Sequence, residues 1–395
     1  MVSDYLQKVN AMPPKRAIFE EVSGQGLKKP EMSPKGADFR PKVITTWARA
    51  WLCMIFILVF SMIFVGGLTR LTDSGLSITE WRPVTGALPP LNDQDWMVEF
   101  SKYRTSPEYQ LQNKGMELEA FKQIYWWEWG HRQLGRVVGM VWALGFLGLW
   151  LAGRLPKGWA KHFWFLGALG ASQGAIGWWM VSSGLRGAMV DVASYRLATH
   201  LGLAFIILGV CTGYILQLSR PAPDLLVARR ARETKLFGLS TGLMHFALLQ
   251  VLLGALVAGI DAGRGFPTWP LMNGQFFPAD AFYVPGRPIW AAFFENAGLV
   301  QFIHRLSGYG LLAFGMFVWL LARKSPHLVT RRAFHAVILM LLAQMTLGIY
   351  TALMAAQVHV ALTHQLGAVL LWVLILRGRH LAQYPQTGSI RKGTV

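Results

Sequence analysis

Four histidines of the sequence have the placement of cofactor ligands, because each lies near the expected start of an apolar helical run. They are His131, His200, His304 and His364. At about 1.5 Å of helix per residue, all four are expected within roughly two turns of one surface. A single histidine inside a membrane more often packs or hydrogen bonds. Two imidazoles at one level of a helix bundle can bind a six-coordinate heme iron, so four at matched depths predict two hemes.

A carboxylate accompanies only one of these histidine pairs. Glu128 stands three residues before His131, on the same helical face, whereas the matching position before His304 holds Gln301. A carboxylate beside a bound ring can act as a general base or stabilise a developing cation. The plainer alternative is that Glu128 only orients Arg132 or a tryptophan. The asymmetry predicts one reactive site and one electron-transfer site.

Arginines adjoin the proposed ligands. Arg132 and Arg305 directly follow His131 and His304. A guanidinium can bind a heme propionate through two hydrogen bonds, and Arg70 is a third candidate for this role. The alternative for Arg132 and Arg305 is that they reach toward the membrane interface. Two aspartates, Asp73 and Asp261, end the first helix of each repeat and are expected to form turns or to pair with such an arginine.

Composition identifies the environment in which these residues must work. The chain has 395 residues, of which 53% are hydrophobic and 15% charged, and its net charge is +18. A soluble chain usually has about a quarter charged residues. Disorder and a collagen-like repeat are excluded, and a basic nucleic-acid-binding domain would not place its charges between long apolar runs. The sequence predicts an all-α membrane protein that contacts lipid and no nucleic acid.

Eight runs are long enough to cross the hydrocarbon core of a bilayer. They lie near Trp47–Leu68, His131–Ala152, His162–Leu185, Leu197–Gln217, Leu236–Ile260, Gly298–Ala322, Ala333–Ala356 and His359–Leu376. The segments on one side hold 25 Lys/Arg and 7 Asp/Glu, whereas those on the other side hold 10 and 13. The positive-inside rule then places both termini in the cytoplasm or matrix and the four histidines near the outer face. No cleavable signal is recognised, so a bacterial inner membrane is expected, with the mitochondrial inner membrane as the alternative.

The first four helices resemble the last four. At a constant offset of 188 residues, Gly66, Asp73 and Trp81 match Gly254, Asp261 and Trp269. Later boxes match in the same order, so two pseudo-symmetric four-helix bundles side by side are predicted. The expected organisation is a polar tail at 1–46, bundles at 47–217 and 236–378 joined by a basic linker at 218–235, and a C-terminal tail at 379–395.

The motifs GGLTRLTDSGLSITEW, EWGHR, ATHLG, AGIDAG, IHR and LTHQLGA, which span residues 45–378, resemble those of the heme A synthase family. That resemblance implies conversion of a heme O ring methyl to the formyl group of heme A, an oxidoreductase reaction in cytochrome oxidase assembly. It implies substrate heme between His131 and His200, a resident heme b between His304 and His364, and Glu128 as the essential glutamate. Some members carry paired cysteines in an outer loop; here the two cysteines, Cys53 and Cys211, lie in predicted helices.

The same resemblance implies partners. Heme O synthase is the expected donor of the substrate, and a homo-oligomer is compatible with the sequence, which does not identify the electron acceptor. Because bis-histidine ligation leaves no open position on the iron, the reacting atom should lie on the ring edge.

Two other classes of protein could use these residues. A diheme electron-transfer cytochrome b, linked to quinol, would need the four histidines but not Glu128. A transporter with a histidine and glutamate proton relay would be colourless.

Overall fold

The computed structural model describes residues 40–386 except 186 and 188. Most of the predicted tail at 1–46 and the end of the C-terminal tail therefore lie outside the described residues, together with both chain termini. The described part is helical, with no strand beyond an isolated bridge between Met272 and Gln275. Its α-helices are α1 Arg40–Leu71, α2 Asp93–Tyr103, α3 Pro107–Leu111, α4 Leu118–Leu151, α5 Ala160–Gly184, α6 Ser194–Leu218, α7 Ala222–Arg230, α8 Thr234–Gly259, α9 Ala262–Gly265, α10 Ala292–Glu295, α11 Ala297–Ala322, α12 Leu328–Leu353 and α13 Val358–Gln383, with short 3₁₀ helices at Thr85–Ala87 and Ile289–Ala291.

Eight of these helices have 25 or more residues. Among the described residues, seven are long and apolar enough to cross a membrane: α1, α4, α6, α8, α11, α12 and α13. The remaining long helix, α5, corresponds to the predicted third span but is not one of the seven. Its 25 residues include Lys161, His162 and Gln173 together with several glycines and serines, which lower its mean hydropathy.

The long helices pack in the same cyclic order in each half of the chain. Helix α1 contacts α4, α4 contacts α5, α5 contacts α6, and α6 returns to α1. In the second half, α8, α11, α12 and α13 contact one another in the corresponding order. Contacts between the halves are made by α6 with α8, α1 with α13, and α6 with α13. The arrangement brings the second and fourth long helices of each half around one interior.

Close helix packing in the first half depends on tryptophans that lie against glycines. The Trp51 indole Nε1 donates to the Val141 carbonyl at 3.0 Å, and its ring meets Phe163 edge-on at 4.9 Å. A Cβ at Gly145 would lie 2.1 Å from that Nε1, so only glycine leaves room for the ring. The contact fixes α1 against α4, which carries His131.

Matching turns end the first helix of each half. Asp73 follows α1 with φ 50°, and Asp261 follows α8 with φ 51°. Both residues are in the left-handed region, which aspartate tolerates better than most residues. The predicted role of these aspartates in turns is confirmed, and the two turns begin the segments that cover the histidine sites.

The start of α4 differs from the prediction. The helix begins at Leu118, so His131 lies 13 residues inside it rather than at its start, whereas the other three histidines lie six or seven residues into theirs. The extension is stable because its aromatic face packs on α2 and α3: Phe121 lies 5.0 Å from Phe100, and Tyr125 lies 5.0 Å from Trp96. The hydropathy of this stretch is low because its other face is polar.

The predicted linker also contains structure. Helix α7 occupies Ala222–Arg230, with Pro221 as its N-cap and Asp224 in its first turn. Proline at a helix start and an acidic first turn both favour this short helix. The linker is thus partly helical rather than an extended connection.

Candidate heme site

Each of the four predicted ligand histidines lies against a glycine of the preceding long helix. If those glycines carried a Cβ, it would meet the histidine Cε1 at 2.8 to 3.2 Å, closer than side chains normally approach. The pairs, each with its distance, are Gly66 with His131 at 2.8 Å, Gly177 with His200 at 2.9 Å, Gly254 with His304 at 3.0 Å and Gly348 with His364 at 3.2 Å. The glycines therefore make the recesses in which the imidazoles sit.

The histidines come together in the pairs that the sequence predicts. His131 and His200 are close enough for their charges to interact, and so are His304 and His364. The Nδ1 atoms of His200 and His364 are buried without a hydrogen-bond partner.

Two glutamines hold one histidine of each pair. Gln250 Nε2 donates to the His304 carbonyl at 3.0 Å and lies 3.1 Å from its Nδ1. Gln173 Nε2 donates to the His200 carbonyl at 3.0 Å. Buried imidazoles in glycine recesses, with ring nitrogens left free of protein partners, fit a heme iron between each pair.

Glu128 is buried, with 3% of its surface exposed, and both carboxylate oxygens are hydrogen bonded. Oε2 accepts from the Ser77 hydroxyl at 2.8 Å and from the Ile78 backbone N–H at 2.7 Å. Oε1 accepts from Arg132 Nε at 3.1 Å and Nη2 at 2.6 Å. Four donors, one of them a guanidinium, stabilise the carboxylate as an anion.

Arg132 connects Glu128 to the segment after α1. Besides Glu128, it donates from Nη2 to the Ile78 carbonyl at 2.7 Å and from Nη1 to the Glu80 carbonyl at 2.9 Å. The plainer prediction, that Glu128 orients Arg132, is therefore part of what the structure shows. The contacts say nothing of a propionate, so that role of Arg132 stays a prediction.

The second half repeats this connection without the carboxylate. Arg305 donates to the carbonyls of Phe266 at 2.8 Å and Thr268 at 2.8 Å. These acceptors stand 188 residues after Ile78 and Glu80, the offset of the repeat. Gln301 is buried at 3% exposure, and its Oε1 and the Nε of Arg305 have no partner. A propionate role for Arg305 also stays a prediction.

Arg70 has partners other than those predicted. It forms ion pairs with Asp73 at 2.7 Å, Asp261 at 3.0 Å and Asp191 at 3.5 Å, and its Nε donates to the Ala258 carbonyl at 3.1 Å. The predicted pairing of Asp73 and Asp261 with an arginine is confirmed. Because these contacts occupy the guanidinium with carboxylates of both halves, they do not support a propionate role for Arg70.

A second buried carboxyl lies in the covering segment of the first half. Glu108 is 3% exposed, and its Oε2 has no partner. Burial, followed by the charges of Glu128 and Asp191, raises the pKa of Glu108 to about 8. Tyr103, beside it, is fully buried. Glu108 is therefore mostly protonated at neutral pH.

Sequence reasoning assigned no role to several residues of these sites. The four glycines and Gln173 were quoted only as repeat matches, and Gln250 and Ser77 were not singled out. Their signal was the repeat itself: Gly66 and Gly254 occupy matched positions, as do Gly177 and Gly348. A glycine retained one helix before each ligand indicates a close approach.

The profile of one protein family, described as cytochrome oxidase assembly protein (COX15-CtaA), matches residues 49–376. Similar proteins cover nearly the whole chain. A protein of Cereibacter sphaeroides is 59% identical over 388 residues, which are 96% of this chain and 99% of that protein. Proteins of Roseobacter denitrificans and Ruegeria pomeroyi are each 56% identical over 382 residues, covering 96% of this chain and 100% of theirs. All three are named heme A synthase.

Proposed function

This chain belongs to the cytochrome oxidase assembly protein family, and on that premise we propose that it is a heme A synthase, which oxidises the ring methyl of heme O to the formyl group of heme A. The observation that carries the proposal is the single carboxylate: Glu128 adjoins one of two similar histidine pairs, and Gln301 replaces it at the other. Two equal binding sites with one anion suit one site for chemistry and one for electron transfer.

We place the heme O substrate between His131 and His200, and heme b between His304 and His364. Glycine recesses, the buried free Nδ1 atoms and the two glutamines support bis-histidine ligation in both halves. Heme b would supply one-electron transfer. Because two axial histidines leave no open position on an iron, oxidation at the substrate ring edge is favoured over oxygen activation on the metal.

The protein supplies a fixed negative charge at the reacting ring. Conversion of the methyl to a formyl group takes two successive two-electron oxidations and loss of water from the gem-diol. Glu128 already accepts four hydrogen bonds, so it can accept a proton from water only by giving one of them up. Stabilisation of a developing benzylic-type cation is therefore its favoured role, with proton removal as the alternative. An oxidoreductase acting on a CH₃ group follows.

The architecture proposed for this activity has eight spans in two pseudo-symmetric bundles, at 47–217 and 236–378, joined at 218–235. Helix α5 is proposed as the eighth span, because its 25 residues extend about 37 Å. The matching cyclic packing of the halves and the matching turns at Asp73 and Asp261 support the pseudo-symmetry.

The cellular setting follows from the bacterial relatives and the charge distribution. We propose a bacterial inner membrane with both termini cytoplasmic and the histidine pairs toward the outer face. Heme O synthase of the same membrane is the proposed donor. We also propose the class of the family without an outer-loop cysteine pair, since Cys53 and Cys211 both lie within helices.

Extraction of the bound pigments tests the function. Purified wild-type protein should contain heme b together with heme O, heme A or an intermediate, resolved by acid-acetone extraction and chromatography. His200→Ala should lose the heme O or heme A pigment, and His364→Ala should lose heme b. Two identical hemes would instead indicate an electron-transfer cytochrome b, and colourless protein a transporter.

A further inference from the structure

A cavity of about 270 Å³ lies beside Glu128, between segment 78–90, α2 and α4. Its rim is exposed, with Leu88 at 74% and Val98 at 46%. Its inner wall includes Trp129 and Arg132, whose side chain is 20% exposed. The cavity thus leads from solvent toward the buried carboxylate.

One face of α4 forms the inner wall. Tyr125, Trp129, Arg132 and Arg136 line the cavity and are spaced four, three and four residues apart, as on one side of a helix. Arg132 also binds Glu128 through Nε and Nη2. The same guanidinium therefore contacts both the cavity and the carboxylate.

The lining is suited to water. It includes the charged side chains of Glu80, Arg82, Asp95, Glu99 and Lys102. A polar cavity of this size has room for several waters with protein partners. Two of the cations are paired with carboxylates, Arg82 with Glu80 and Glu99, and Lys102 with the same two residues. This charge balance favours water over an anionic ligand.

The second half has an aromatic cover at the matching place. Trp129 and Arg136 correspond to Phe302 and Tyr309. Phe277 packs on Phe302 at 4.9 Å, and Trp269 Nε1 donates to the Tyr309 hydroxyl at 2.8 Å. Segment 266–279 contains no charged residue.

We propose that the cavity is the route by which water reaches, and protons leave, the Arg132–Glu128 pair, and that the aromatic cover keeps the second half dry. The inference rests on the proposed function, because only a site that consumes or releases water and protons needs such a route. An electron-transfer site benefits from exclusion of water, as the cover of the second half provides.

Thiol labelling tests the route without turnover. Ile78→Cys and Phe266→Cys are matched by the repeat, each in a Cys53→Ser background, and the probe is 2-(trimethylammonium)ethyl methanethiosulfonate on purified protein. Cysteine at 78 should react about tenfold faster than cysteine at 266. Equal rates, or faster reaction at 266, would overturn the proposal. Because labelling needs no heme A formation, it is independent of whether the proposed function holds.

Filling the cavity tests its use. Val98→Trp places an indole in the opening, whereas Met97→Trp, one residue earlier on α2, does not line the cavity and serves as control. Val98→Trp should lower the rate of heme A formation severalfold and raise its solvent deuterium isotope effect, with heme content unchanged. Met97→Trp should match wild type. A wild-type rate and isotope effect in Val98→Trp would refute the route even where wild-type activity is confirmed.

Discussion

Replacement of Gly177 with alanine should displace His200 and empty one heme site only. The added Cβ would lie 2.9 Å from His200 Cε1. Since ordinary contact between carbon atoms is about 3.5 Å or more, the ring must retreat by roughly 0.6 Å. That displacement exceeds the ~0.5 Å within which a functional site must be held, and overpacking of this kind costs about 1–3 kcal/mol. Pigment between His131 and His200 should be lost, and heme b retained.

The assay is heme content and identity after extraction, together with the absorption spectrum and thermal unfolding. Gly174→Ala is the matched control, because Gly174 lies on the same helix and a Cβ there would meet nothing within 4 Å. It should keep both pigments. Reasoning from the glycine recess is refuted if Gly177→Ala binds both pigments with the wild-type spectrum and unfolding temperature.

Three further changes have distinct outcomes. The pKa of Glu108 is raised from 4.5 to about 8, so its contribution to stability is fully present below pH 4.5 and is lost as pH rises to 8; Glu108→Gln should remove this dependence and gain at most ~5 kcal/mol above pH 8, measured by unfolding against pH. Gln250→Leu should retain heme b but shift its midpoint potential in a redox titration, because His304 loses its amide partner. Arg70→Gln should lower stability by about 1–3 kcal/mol in thermal unfolding, since Asp73 and Asp261 lose their shared cation.

Each of the three can fail in a specific way. An unfolding profile of Glu108→Gln that follows the wild-type pH dependence would show that this carboxyl does not hold the extra proton. An unchanged potential in Gln250→Leu would remove that amide from control of the heme. If Arg70→Gln unfolds at the wild-type temperature, the ion pairs between the halves contribute nothing to stability.

Helix identity and ligand pairing could be predicted because both depend on patterns within the sequence. Apolar runs and the repeat placed His131, His200, His304 and His364 on the second and fourth long helices of each half. The start of α4 could not be placed by hydropathy, because Leu118–Gly130 is stabilised by Phe121 and Tyr125 packing on α2 and α3, a tertiary effect. Helix α5 shows the converse, since its composition lowers its hydropathy although it packs as a long helix.

The partners of single side chains were less predictable. Arg70 was expected at a propionate, but its closest acids come from Asp73 in its own turn and from Asp261 and Asp191, which only the fold brings near. The hydrogen bonds from Ser77 and Ile78 to Glu128 cross about fifty residues of sequence, so no local pattern could indicate them. What the sequence did indicate was the asymmetry between Glu128 and Gln301.

The extracted pigment of Glu128→Gln tests the central claim most directly. The amide keeps the size of the side chain and one acceptor oxygen for Arg132 but removes the charge. Glu119→Gln, an exposed position on the same helix, is the control. Glu128→Gln should contain heme b and heme O in wild-type amounts and no heme A, whereas Glu119→Gln should contain heme A. Wild-type amounts of heme A in Glu128→Gln would contradict the account.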